Sequence, residues 1–186
     1  MRNKLCFLTK NEYKIREMQT LFKRSGIMLN PIKHSIEELQ TEDVDKLLRH
    51  KILSAFSYVG RPVFVDHTCL RIKGFADLPG GLTQIFWDRL QDKMFAHFFS
   101  NLEPNLVVAT TDIAYCDGKQ IFTFHGEIEG SIAKKSRGST DFQWDCVFIP
   151  SGYQLTFAEL GDKKNEISMR RIAFDSFINF LKEREK

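Results

Sequence analysis

The 186-residue sequence has no closely spaced cysteines. Its four, Cys6, Cys69, Cys116 and Cys146, stand far apart with no C-x-x-C pair among them. That argues against a disulfide framework or a cysteine zinc site. MRNKLCFLTK carries no long apolar leader, so a reduced, cytoplasmic protein with free thiols is expected. No apolar run approaches the ~18 residues that crossing a bilayer requires, and no membrane association is expected. Excess charge of one sign is also missing. The formal net charge is +3, too weak to argue for direct nucleic-acid binding, although a groove for a small polyanion stays open. Internal repeats, linkers and low-complexity segments are absent as well. The basic end KEREK reads as a solvated helix terminus.

What is present is ordinary globular composition, 42% hydrophobic and 27% charged, with 17 phenylalanines expected in a core or an interface. The length suits one large domain or two small lobes around a proper core. KLCFLT reads as a buried strand. EYKIREMQTLFKRSG follows as a helix with Ile15, Met18, Leu21 and Phe22 on one face and Gly26 as its C-cap. IMLNPIK reads as a second strand, and the stretch from Glu37 to Gly60 as a helix burying Val44, Leu47, Leu48, Ile52 and Phe56. RPVFVD reads as a strand that stops at the polar patch Asp66-His67-Thr68-Cys69. LTQIFWDRLQDKMFAHFFSNL reads as one amphipathic helix or two short ones. Residues 105–133 alternate around Asp117-Gly118, a hairpin signature. DCVFIPSG is a further strand, and EISMRRIAFDSFINFLKEREK a closing helix with Ile172, Phe174, Phe177, Ile178 and Leu181 inward. The order predicts an α/β fold with an elongated mixed sheet and a cleft between two lobes.

Five stretches carry chemistry, each beside a plainer role. Thr9, Asn11 and Lys14 sit in the turn into the first helix. There they either meet phosphate oxygens at a helix N-terminus or simply cap it. Glu37, Glu38, Glu42 and Asp43 precede a helix, where acids suit the dipole and could also hold Mg²⁺. In VDHTCL, Asp66 is expected to follow the strand and face a cleft. Pro79-Gly80-Gly81 permits close backbone approach to a ligand, or is a plain loop. Phe142, Trp144 and Asp145 suit stacking on a base and reading its edge, though aromatic residues in a strand are more often core. Lys164, Ser168, Arg170 and Arg171 suit a phosphate or a purine carbonyl, or form a solvated helix face.

Taken in order, T-x-N-x-x-K at Thr9, Asn11 and Lys14, then RPVFVDHTCL, LPGG, GEIEGSIA, FQWDCVFIPSGYQLTFAEL and KKNEISMRR resemble the inosine triphosphate pyrophosphatase family over nearly the whole chain. The resemblance implies one such domain over residues 1–186, two-lobed around a central nucleotide cleft, and usually a homodimer. It implies Mg²⁺-dependent cleavage of ITP, dITP or XTP to the monophosphate and pyrophosphate. It places Thr9, Asn11, Lys14, Lys51 and Thr68 at the triphosphate, and Glu38 and Asp66 at Mg²⁺. Phe142, Trp144 and Asp145 are placed around hypoxanthine, with Lys164, Ser168 and Arg170 completing base recognition. A donor facing the C6 carbonyl of hypoxanthine would be left unpaired against adenine, at a cost of about 1–3 kcal/mol.

The sequence also departs from the family pattern. Two consecutive acids are expected where Asp66-His67 stands, and the second is the family's general base. His67 can accept a proton but is a poor partner for Mg²⁺, which prefers hard oxygen ligands. Met169 replaces a histidine, Cys146 a proline, and Gln143 a glycine, so that Gln143 either crowds the base pocket or adds a contact. Loss of a general base costs roughly 10²–10⁴ in rate. Two expectations follow. The first is a catalytically impaired sensor of dITP or ITP in complex with an effector protein, as in bacterial anti-phage defence. The second is an active pyrophosphatase in which Asp66 or His67 is the base, cleansing the nucleotide pool.

Overall fold

The computed structural model describes residues 4–23 and 25–184. The last two residues of KEREK and the first three of MRNKLCFLTK therefore lie outside the described residues. The elements are β1 (Leu5–Leu8), α1 (Glu12–Lys23), β2 (Leu29–Ile32), α2 (Val44–Val59), β3 (Val63–Ile72), β4 (Pro79–Gly80) and α3 (Thr83–Phe99). They continue with β5 (Val107–Cys116), β6 (Ile121–Ile132), β7 (Phe148–Pro150), α4 (Phe157–Leu160), α5 (Lys164–Ile167) and α6 (Met169–Arg184). The seven strands form one mixed sheet in the order β2-β1-β3-β5-β6-β7, with β4 paired to β3. β2, β1 and β3 run parallel, and β3, β5, β6 and β7 antiparallel.

Side chains alternate across a strand, so each inner strand feeds two cores. Leu5 and Phe7 of β1 and Phe64 of β3 pack under α1 and α6, against Ile15, Met18, Phe22, Phe174 and Phe177. Cys6 and Leu8, with Val63 and Val65, pack under α2 against Leu48, Ile52 and Ala55. A third core at the other end gathers Leu70, Trp87, Phe95, Phe99, Phe148 and Phe157. Ile172 was expected inside the last helix but is exposed, while Phe174, Phe177 and Ile178 are buried.

Four local expectations are corrected. β3 does not stop at Asp66. It continues through His67, Thr68 and Cys69 to Ile72, because all ten residues pair in register with β5. Asp66 therefore lies mid-strand. α2 starts at Val44, with Asp43 as its cap accepting from the Lys46 backbone N–H at 2.9 Å, so Glu37, Glu38 and Glu42 lie in the preceding loop. Phe142 and Trp144 are not in a strand: a 3₁₀ turn spans Gln143–Cys146 before β7 begins. Finally, a Cβ on Gly81 would stand 2.2 Å from the Thr41 carbonyl. The close approach at Gly81 is therefore in part to the chain's own backbone, while Gly81 also lines a cleft with Thr9 and Lys14.

In α3, Gln91 has φ 53° and ψ −177°, so two helices meet there at a kink. The 117–120 turn closes the β5–β6 hairpin, with Asp117 Oδ1 accepting from the backbone N–H groups of Lys119 and Gln120. No helix among the described residues is long and apolar enough to cross a membrane.

Candidate active site

The C-terminal end of β1 opens a cleft of about 570 Å³. Thr9, Asn11, Lys14, Glu38, Lys51, His67 and Thr68 line it, with Gln84, Asp88 and Gln143 on α3 and the 3₁₀ turn. Part of the polar turn after β1 serves the helix. Asn11 Oδ1 accepts from the backbone N–H groups of Tyr13 and Lys14 at 3.0 and 3.1 Å. Thr9 Oγ1 accepts from the Asn11 N–H at 3.2 Å. The capping role is thus real, and the Asn11 side-chain amide N–H groups remain for a ligand.

Alternation along β3 separates the two residues of the polar patch. Asp66 shares a parity with Phe64 and points to the α1/α6 side. His67 shares the parity of Val63 and Val65 and points to the α2 side. On the first side, Lys14 Nζ donates to Asp66 Oδ1 at 3.1 Å, and Arg170 donates to Asp66 Oδ2 at 3.3 Å and to Thr68 Oγ1 at 3.0 Å. Arg170 also donates to Glu17. Lys164 Nζ donates to Glu17 at 2.7 Å and to Asp145 at 2.5 Å. The result is a buried chain of alternating charge: Lys14, Asp66, Arg170, Glu17, Lys164, Asp145. Asp66 is 1% exposed and Arg170 2%. Arg170 and Lys164 also pass over the face of Phe142, which stacks on Tyr13 at 5.3 Å.

The ionisation states follow from this packing. Burial would raise Asp66, but Lys14, Arg170 and Lys51 outweigh it and hold the carboxyl well below the usual range. Burial also acts to raise Glu17, and Arg170 and Lys164 bring it down. At the far end burial wins, and Asp145 is pushed up to about 6 despite Lys164. Burial, helped by Lys51 and Arg170, brings Lys14 down to about 8 against the pull of Asp66.

On the α2 side, Lys51 Nζ donates to Glu38 Oε1 at 2.5 Å. Glu38 is held below its ordinary value, Lys51 outweighing the effect of burial. His67 is 5% exposed, and its Nε2 has no hydrogen-bond partner. Burial first, then Lys51 and Lys14, hold the imidazole down to about 3, so it is neutral.

The remaining sequence-derived residues lie back from the cleft surface. Trp144 is 3% exposed and packs edge-on against Phe148. Ser168 ends α5, and its Oγ accepts from the Arg171 N–H at 3.3 Å. Glu17 was missed by sequence reasoning. Its signal was its place on α1 one turn after Lys14, on the side that faces Lys164 and Arg170. Gln84 and Asp88, one turn apart on α3, were missed too.

Mg²⁺ takes oxygen ligands, often one or two carboxylates completed by substrate phosphates. Glu38 on the cleft wall, ionised, fits that pattern. Asp66 fits it less well, since Lys14 and Arg170 already engage both its oxygens. Among the described residues, no three or more His, Cys, Asp or Glu side chains converge as an all-protein metal cage.

Comparison with known proteins agrees with this architecture. A family model described as the Ham1 family matches residues 5–180. A dITP/XTP pyrophosphatase of Saccharolobus solfataricus is 31% identical over 179 residues, covering 96% of this chain and 93% of its own. An inosine triphosphate pyrophosphatase of Yarrowia lipolytica is 33% identical over 183 residues, covering 97% and 96%. The solved structure of a HAM1 protein from Coxiella burnetii superposes with a TM-score of 0.79 at 25% identity, covering 97% of this chain and all of that one.

Proposed function

We propose a function from one premise: the chain belongs to the Ham1 family. Residues 1–186 then act as one unit that hydrolyses a deaminated purine nucleoside triphosphate, dITP, ITP or XTP, to the monophosphate and pyrophosphate. The observation that carries this is the cleft wall itself. Lys14 and Lys51 converge there with Thr9, Asn11 and Glu38 beside the N-terminus of α1. Two cations, a helix N-terminus and the free Asn11 amide N–H groups suit a polyphosphate. The names of the relatives support the same substrate class.

Within this function Lys14, Lys51 and the α1 N-terminus orient the phosphates. Glu38 would hold Mg²⁺, with Asp66 the less suited candidate, and the ion would supply neutralisation of charge at the phosphates. Arg170 and Lys164 are the donors nearest the base end. Lys14 and Glu17 fix Arg170 through the buried charge chain. With Asp66 engaged by Lys14 and Arg170, neutral His67 is assigned the proton of the attacking water. Its Nε2 has no protein partner to displace.

One observation favours a second reading, in which the cleft binds the triphosphate without rapid turnover and a partner protein responds. His67 is buried, and Lys51 and Lys14 add to that burial in disfavouring its protonated form, so the neutral imidazole there is a weak proton acceptor. One paired assay separates the two. Calorimetric binding of dITP and release of pyrophosphate are measured on the same sample with excess Mg²⁺. Fast release supports the enzyme, and tight binding without release supports the second reading. Neither binding nor release overturns both.

A further inference from the structure

The wall of the cleft opposite the lysines carries a feature that the phosphate chemistry does not use. Gln143 has φ 46°. That is the left-handed region, which costs a non-glycine residue of order 1 kcal/mol and persists only when surrounding contacts impose it. The residue's side chain makes a long-range contact. The Gln143 side-chain Nε2 donates to Oε1 of Gln84 across 59 residues of sequence. Gln84 Nε2 in turn donates to Asp88 Oδ1 at 2.6 Å. All three side chains line the cleft.

The direction of this relay follows from chemistry. An ionised carboxylate only accepts, so Asp88 must receive the Gln84 N–H. Gln84 then presents its carbonyl oxygen to Gln143, and Gln143 must answer with its N–H. No protein donor among the described residues occupies Oε1 of Gln143. Asp88 therefore sets which end of the Gln143 amide stays available, two hydrogen bonds away.

We propose that Gln143 is a specificity-determining residue whose carbonyl oxygen, oriented by Gln84 and Asp88, accepts a hydrogen bond from a ring N–H of the purine. This rests on the nucleotide function proposed above and deepens it. Gln143 lines the cleft and directly follows Phe142, which lies under Lys164 and Arg170, the two donors that the proposed function assigns to the base. A fixed acceptor distinguishes 6-oxopurines from adenine. Hypoxanthine and xanthine carry a proton on N1, whereas adenine offers a bare acceptor there, and two acceptors facing each other leave both unpaired. An amide free to rotate would lose this discrimination, because turned over it can donate to adenine N1. Gln84 and Asp88 are thus positioning residues, and the information they carry is the fixed direction of one amide.

The test reads dissociation constants for dITP and dATP by calorimetry, a quantity that exists whether or not hydrolysis is fast. The variants are Gln143→Gly, Gln84→Met and the double variant Gln84→Glu with Asp88→Asn. Glycine adopts the left-handed conformation without strain, so the first variant is expected to fold at least as well as the parent. Gln143→Gly and Gln84→Met are each expected to lower the preference for dITP over dATP roughly tenfold, the size of one lost directional hydrogen bond. Gln84→Glu, made together with Asp88→Asn so that no two carboxylates face each other, is expected to keep the preference, since the new carboxylate can only accept, from the new amide and from Gln143 alike, and holds Gln143 in the same orientation. A purely structural role for Gln84 would not separate Gln84→Met from the double variant in the dITP:dATP ratio. An unchanged ratio in Gln143→Gly and Gln84→Met, with dITP still bound, overturns this inference and leaves the proposed function standing. A parent protein that binds no dITP overturns both.

Discussion

Replacing Glu17 by glutamine tests whether the buried charges work as a chain. The substitution keeps shape and removes one negative charge from between Arg170 and Lys164, whose side chains are 2% and 5% exposed. In the native protein each of those cations has a second carboxylate, Asp66 for Arg170 and Asp145 for Lys164. The six groups from Lys14 to Asp145 balance at three positive and three negative, and the variant leaves one positive charge in surplus. Breaking a buried pair on one side costs about 3–5 kcal/mol, because the remaining charge stays desolvated. For a chain of this size that is a fall in melting temperature of about 6–20 °C. The control is Asp175→Asn, which breaks the exposed Arg171–Asp175 pair one turn apart on α6. Such a surface pair contributes a few tenths of a kcal/mol. Urea denaturation with both variants at pH 7 gives the two numbers directly. The pH dependence adds a sign. Glu17 is depressed in the folded state, so its contribution is present above its unfolded value of 4.5 and is lost as pH falls through the folded value. The gap between parent and Glu17→Gln should close on acidification. A cost for Glu17→Gln no larger than that of the surface control would refute the chain.

Three further outcomes are expected. Asp145 runs opposite to Glu17: its carboxyl is raised to about 6, mainly by burial, so the folded state keeps a proton that the unfolded chain has lost. The stability of the parent relative to Asp145→Asn should therefore fall as pH rises from 4 to 7, by about 2–3 kcal/mol, and a flat difference would contradict it. His67→Asp places a carboxylate between Lys14 and Lys51. If the parent is the active pyrophosphatase, release from dITP should stay within about tenfold of the parent rate while His67→Ala abolishes it; a rise of roughly 10²–10⁴ in His67→Asp would overturn His67 as the base and favour the impaired reading. Gly126→Ala would put a Cβ 2.1 Å from the Met169 carbonyl and 2.6 Å from the Ala173 nitrogen. It should cost about 2–4 kcal/mol by prising α6 off β6, and a melting curve like that of the parent would show the packing to be looser than described.

The sequence by itself determined the elements and their class. Period-two alternation in residues 105–133 and the 3.6-residue spacing of Ile15, Met18, Leu21 and Phe22 are local signals, set by which faces must leave water. The polar turn at Thr9, Asn11 and Lys14 was legible for the same reason, since capping and anion binding use nearby backbone. Tertiary structure alone decided the rest. β3 runs on through Asp66 and His67 because β5 pairs with all ten of its residues, and a strand with a paired neighbour tolerates polar side chains that would end an isolated one. The pleat then sends Asp66 and His67 to opposite sides of the sheet, one to Lys14 and Arg170, the other towards Lys51. Glu17, on the same α1 helix as Lys14, acquires its role only when α6, about 150 residues away, brings Arg170 against it. Gln84 meets Gln143 in the same way. Such pairings depend on the closing of long loops, and no local pattern records which distant charge or amide a side chain will find.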